Sequence, residues 1–179
     1  MWKILGFLLV LGGVAGVLYS WVSEQKKRQR ILEEFILFLE KSISSMEKDN
    51  LKIVTHFEKY VSQQNNHTNV DAQLFTKILS EIATRLSSNT YPKGQSVWEE
   101  VIKEEGQNLA LDKETFAIIL QAGNGFFGRS REENIRFLQK SIRELEIQQK
   151  KCREKDAQER KVWVPVTMLG TVMLLIVFV

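Results

Sequence analysis

Residues 4–22 read ILGFLLVLGGVAGVLYSWV and residues 162–179 read VWVPVTMLGTVMLLIVFV; neither run holds a charged side chain, and outside the stretch between them the only charged side chain is Lys3. At about 1.5 Å per helical residue the runs reach roughly 28 and 27 Å, the depth of a bilayer hydrocarbon core, and a buried soluble helix seldom stays apolar for so long. The pattern predicts a hairpin: an N-terminal transmembrane helix over 1–22, a domain over 23–161, and a C-terminal transmembrane helix over 162–179.

The basic residues orient it. Lys26, Lys27, Arg28 and Arg30 follow the first leg, and Lys150, Lys151, Arg153, Lys155, Arg160 and Lys161 precede the second. Positive charge stays on the inner side of a membrane, so the central domain is expected in the cytoplasm. A secretory signal peptide is the competing interpretation of the first run, with Lys3 ahead of it and small residues near Ala15, but its length and the basic cluster behind it oppose export. A single Cys152 cannot form an internal disulfide.

Across the chain 25 basic and 22 acidic residues nearly cancel to +3, which leaves no nucleic-acid footprint. Between the legs, Ser23 to Lys161 has one proline, Pro92, and no Ser/Gly linker, so one domain is expected. Its apolar spacing is helical throughout, and no segment alternates with period two. Leu32, Phe35, Leu39, Ile43 and Met46 mark a first helix; after a break at Asp49-Asn50, Leu51, Val54, Phe57 and Val61 mark a second, closed by Gln64-Asn65-Asn66. Val70, Leu74, Ile78, Ile82 and Leu86 mark a third, followed by a loop from Ser88 to Gly94. Capping boxes start a fourth helix at Ser96 (with Glu99) and a sixth at Ser130 (with Glu133), while Asp112 caps a fifth through Phe116, Ile119 and Leu120. Ile135, Leu138, Ile142 and Leu145 stripe the last. The predicted fold is all-α, an antiparallel helical bundle of about six helices carried between two transmembrane helices.

Ser23 to Arg30 and Arg153 to Lys161 are polar on all faces and act as stalks joining the legs to the bundle. Their bases have two uses: pairing with Glu154, Asp156 and Glu159 across the stem, or attraction to anionic lipid at the membrane surface. Within the legs, Gly12 and Gly16 form a small-residue face suited to transmembrane packing, against Gly170 of the second leg or against another subunit. Pro165 near the start of the second leg interrupts one backbone bond. With no ionisable residue in either leg, a proton or ion path within this chain is not expected.

Gly123-Asn124-Gly125-Phe126-Phe127-Gly128 matches G-x-G-x-x-G, and Glu144 or Glu146 lies near the spacing of a ribose-binding acid. The context is wrong for a dinucleotide, because a helix rather than a strand precedes and two phenylalanines fill the motif. It is interpreted as a helix stop, with Gly123 or Gly125 left-handed and Phe126 and Phe127 tucked into the core or projecting as a docking knob. Trp98 serves as a core anchor or a partner contact. His56 and His67 lack the spacing of a zinc site, and Glu99, Glu100, Glu104 and Glu105 read as a solvated acidic face rather than a catalytic set. No catalytic, cofactor-binding or metal residues are assigned.

The opening Met1-Trp2-Lys3-Ile4-Leu5-Gly6, the basic exit with Arg30, the segment Ser96-Val97-Trp98-Glu99-Glu100, the glycine turn between Leu120 and Ser130, and the terminal apolar helix together resemble the stage III sporulation protein AB family. That resemblance implies a helical domain similar to the cytoplasmic domains of platform proteins in type II secretion and type IV pilus machines. It implies a noncatalytic platform or adaptor in the sporulation channel complex between mother cell and forespore, partnered by the sporulation ATPase-like protein AA and other stage III membrane proteins. Trp98, Phe126, Phe127, Arg129 and Arg131 are the expected partner contacts. An oligomeric channel subunit, or a component of another secretion or pilus machine, is the alternative.

Overall fold

The computed structural model describes the backbone of residues 2–48, 53–64, 70–88, 94–109, 111–128 and 130–178, and the side chains of these residues outside 2–11, 14–15, 18, 64, 70–74, 107–108, 164 and 174–178. Among the described residues the regular structure is entirely helical: α1 (Trp2–Lys48), α2 (Ile53–Gln64), α3 (Val70–Ser87), α4 (Gly94–Glu105), a 3₁₀ turn (Gly106–Leu109), α5 (Lys113–Phe126) and α6 (Arg131–Phe178). The all-α class follows from the three- and four-residue apolar spacing, as expected. The predicted breaks at Asp49-Asn50, at Asn65-Asn66 and between Ser88 and Gly94 fall largely outside the described residues, as do Leu51, His67, Pro92 and Arg129 and the side chains of Val70 and Leu74.

The chain divides into two compact units, Arg28–Gln149 and the paired ends Met1–Lys27 with Lys150–Val179. Within the first, neighbouring helices run antiparallel. On α1 and α2, Ser42 meets His56 at 2.8 Å and Phe38 meets Tyr60 with ring centroids 5.0 Å apart. Arg85 of α3 reaches Glu100 and Glu104 of α4 at 3.4 and 2.8 Å, while Lys77, two turns back, reaches Glu105. α5 then packs on α6, with Gly125 against Leu138 at one end and Glu114 bonded to Gln148 at the other. Gln149 of α6 donates to Glu33 of α1 at 3.3 Å.

The predicted stripes supply the core. Leu32, Phe35, Leu39, Phe57, Ile78, Ile82, Leu138 and Leu145 are buried, and Ile43, Met46, Val61, Leu86, Phe116 and Leu120 pack on its edge. The buried set is wider than the stripes, because a helix covered by two neighbours hides an arc of more than 100°. Hence Ile31, Phe38, Leu79 and Ala83 are buried beside the predicted positions. Phe38 is the hub: its ring lies 5.0 to 6.2 Å, centroid to centroid, from Phe35, His56, Phe57, Tyr60, Phe75 and Phe126. Each fully buried ring of this kind contributes about 1.5–3 kcal/mol.

Two caps form as predicted. Asp112 accepts from the Thr115 N–H and hydroxyl, both at 2.8 Å, and the Ser130 hydroxyl accepts from the Glu133 N–H at 3.2 Å. The third does not. α4 opens at Gly94, so Ser96 sits inside the helix, and Glu99 accepts from the Gln95 amide at 2.8 Å instead. Gly94, the first residue of α4, has no Cβ, and the Phe127 ring lies where one would be.

In the unit formed by the chain ends, the polar stretches are partly buried. Gln25, Cys152 and Asp156 are buried, and Arg160 donates to Gln25 Oε1 at 3.3 and 3.4 Å. Cys152, Asp156 and Arg160 recur every four residues, so one face of this part of α6 is a polar seam. Pro165 lies within α6. Farther along, Val162, Trp163, Val166, Met168, Leu169, Val172 and Met173 are 49–72% exposed. Thr167 and Thr171 return their hydroxyls to the Trp163 and Thr167 carbonyls at 2.8 and 2.7 Å. Among the described residues no helix is long and apolar enough to cross a membrane.

Candidate interaction site

The glycine motif is a helix-packing device. Gly123 and Gly125 lie inside α5, which runs on to Phe126; Phe127 caps it, donating its N–H to the Gly123 carbonyl at 3.1 Å. This corrects the expected left-handed stop. A Cβ on Gly123 would sit 2.5 Å from Trp98 Cδ1, and one on Gly125 would sit 2.5 Å from Leu138 Cδ2. A Cβ on Gly128 would collide with the Asn134 side chain. Each glycine thus receives a side chain from another helix, α4 or α6, and the N–H groups of Gly123 and Gly125, which a phosphate would need, lie within α5 rather than at a helix start. Glu144, one proposed ribose acid, pairs with Lys140 one turn earlier at 3.7 Å.

Burial decides several of the expected partner contacts. Trp98 and Phe126 are 0% and 1% exposed, and the Trp98 indole N–H donates to the Ile119 carbonyl at 3.1 Å. Both rings belong to the core and are not surface contacts, which corrects the expectation for those two residues. Phe127 is half-buried, packed on the core and against Gly94, and Arg131 is exposed at the start of α6. Beside them a cleft of about 460 Å³ is lined by Asn124, Gly128, Glu133, Asn134, Arg136, Phe137 and Lys140. Sequence reasoning missed Arg136, Phe137 and Lys140; their only signal is their position off the Leu138 stripe.

The acidic residues of α4 are held in ion pairs. Glu99 meets Lys103 at 3.7 Å, Glu100 and Glu104 meet Arg85, and Glu105 meets Lys77 at 3.4 Å. Hydrogen bonds to Glu81 and then to Glu104 raise the Arg85 pKa, so its charge is fixed. Carboxylates tied to cations in this way face solvent as a charge ladder between α3 and α4, and do not converge as an acid–base pair. Among the described residues no three His, Cys, Asp or Glu side chains gather as metal ligands do. His56 is instead a structural group, stacked on Phe38 and bonded through Nε2 to Ser42. Burial first, and Lys59 second, lower its pKa.

At the chain ends, among the described residues, nothing lies within 4 Å of a Cβ built at Gly12, Gly16 or Gly170. The side chains of Lys26, Arg30, Arg160 and Lys161 are exposed, and those of Lys27 and Arg28 half-buried.

Against known proteins, residues 3–179 match the family model described as stage III sporulation protein AB. A solved structure of a stage III sporulation protein AB superposes with a TM-score of 0.63 at 14% identity, covering 74% of this chain and 98% of that one. That likeness carries the fold. No curated protein matches the chain. Since the family model spans all but two residues of the 179, the chain belongs to the stage III sporulation protein AB family.

Proposed function

We propose that this chain is a noncatalytic membrane platform of the sporulation channel complex between mother cell and forespore, coupling a cytoplasmic secretion-type ATPase, the sporulation ATPase-like protein AA, to the membrane assembly. Membership of the family supports a role in sporulation. The membrane part rests on one observation above others: the face from Val162 to Met173 leaves seven large apolar side chains about half exposed or more, while both threonines among them satisfy their hydroxyls within the helix. Such a surface is costly in water and suited to lipid. Each buried CH₂ group contributes about 0.8 kcal/mol. Lys26, Lys27, Arg28, Arg30, Arg160 and Lys161 then serve at the inner membrane surface, each base contributing roughly 1 kcal/mol near anionic lipid. The carboxylates of α4 are engaged in ion pairs, which favours an adaptor over an enzyme.

The test is co-expression with the ATPase and purification through a tag on this chain. The proposal expects the ATPase to co-purify from detergent extracts, and less of it when Arg131 and Arg136 are changed to Glu. A folded full-length chain that retains none of the ATPase refutes the coupling role.

A further inference from the structure

Two helical faces on α1 and α2 repeat one spacing. Lys41, Ser44, Ser45 and Lys48 follow at i, i+3, i+4 and i+7, and so do His56, Lys59, Tyr60 and Gln63. These eight residues line a single pocket of about 300 Å³. An amphipathic helix packed against its antiparallel neighbour ordinarily presents such a flank to solvent, with bases and acids mixed. Here three lysines line one pocket and none of the eight lining residues is acidic. Elsewhere in the bundle Lys77, Arg85, Lys103 and Lys140 each have a carboxylate within 4.0 Å. Lys41 is placed by its ammonium lying 5.1 Å above the Tyr60 ring.

We propose that this pocket binds a phosphate group, as the free ion, on a small phosphomonoester or on a lipid headgroup. Three lysines bring +3 to a ligand that carries about −1.5 to −2. A lone carboxylate would leave more of that charge uncompensated. Lysine ammoniums act as point charges on phosphate oxygens, whereas planar bidentate capture of a carboxylate calls for arginine, and no arginine lines the pocket. Ser44 and Ser45 add hydroxyl donors. The volume admits a phosphate with a small substituent, at the lower limit of ordinary ligand sites. The neutral His56 ring, fixed by Ser42, forms the wall and adds no charge at neutral pH.

The experiment titrates inorganic phosphate into the full chain in nonionic detergent at constant ionic strength, following the His56 ring resonances. A saturable shift absent with chloride is expected, weakened at least about tenfold in K41Q/K48Q/K59Q and retained in K103Q/K113Q/K155Q, which removes equal charge elsewhere. If the triple pocket variant does not fold, K59Q alone is used and must weaken binding. Relative affinity identifies the source: water-soluble short-chain phosphatidic acid binding at least about tenfold more tightly than glycerol phosphate points to a headgroup, and equal affinity to a soluble phosphate compound. A response no larger than that to chloride, equal loss in the control variant, or binding of poly-glutamate in place of phosphate overturns the assignment.

Discussion

The Trp98 indole lies across Gly123 so closely that a Cβ at Gly123 would come within 2.5 Å of Trp98 Cδ1, and the ring is pinned there by its 3.1 Å bond to the Ile119 carbonyl. The close approach ties α4 to α5 beside the Phe126 ring, 5.3 Å from the indole, and turns a glycine motif that resembles a dinucleotide loop into part of the core.

Gly123→Ala is therefore expected to destabilise the protein. Alanine gains about 1 kcal/mol inside a helix, but overpacking against a ring that cannot retreat falls in the upper part of the usual range, about 2–3 kcal/mol. A net loss of about 1–2 kcal/mol should appear as a lower urea midpoint with unchanged slope. An alanine variant as stable as the parent would show that the Trp98 ring moves freely.

Ser42 has one hydroxyl proton and donates it to the Phe38 carbonyl at 2.7 Å. Toward His56 its oxygen must then accept, so His56 Nε2 carries the hydrogen. Ser42→Ala leaves that N–H without its partner and should cost about 1–3 kcal/mol. Ser62→Ala, which removes an exposed hydroxyl bonded to the Lys59 carbonyl, should stay within about 0.5 kcal/mol.

His56 also sets a pH dependence. Burial and Lys59 hold its folded pKa below the ordinary 6.5, so below that value the unfolded chain binds the extra proton first. Stability from this group is present above the unfolded pKa and is lost as pH falls from 6.5 toward the lower folded pKa. Urea midpoints taken from about pH 7 to about pH 5 should fall more steeply for the parent than for His56→Gln. Parallel curves would exclude a depressed pKa.

The charge ladder between α3 and α4 should matter little. Exposed pairs contribute about 0–1 kcal/mol each and do not add when they share one side chain, so Arg85→Gln, although it releases Glu81, Glu100 and Glu104, should cost about 1 kcal/mol or less. Its effect should shrink at high salt as screening shortens the reach of each charge. A larger cost that salt does not alter would point to packing by the arginine stem.

Much of this architecture is legible in the residues because helix periodicity writes itself as apolar spacing. Leu32, Phe35, Leu39 and Leu138 fall on predicted stripes, and Asp112 and Ser130 have the chemistry their caps require. Phe38 was harder to find: adjacent Phe38 and Leu39 are both buried only because neighbours cover two sides of α1. Gly123 and Gly125 misled for a different reason. Glycine permits a left-handed turn and equally permits close helix contact, and only the arrival of Trp98 and Leu138 decides between them. The basic pocket had no sequence signal of its own, because each of its two stripes reads alone as an ordinary solvated face.

The membrane hairpin is tested most directly by reporter fusions in cells, one placed after Val179 and one inserted between Asn65 and Asn66. The proposed topology predicts that the inserted reporter works in the cytoplasm and the terminal one only in the exported compartment. An inserted reporter active solely outside the cytoplasm would contradict it.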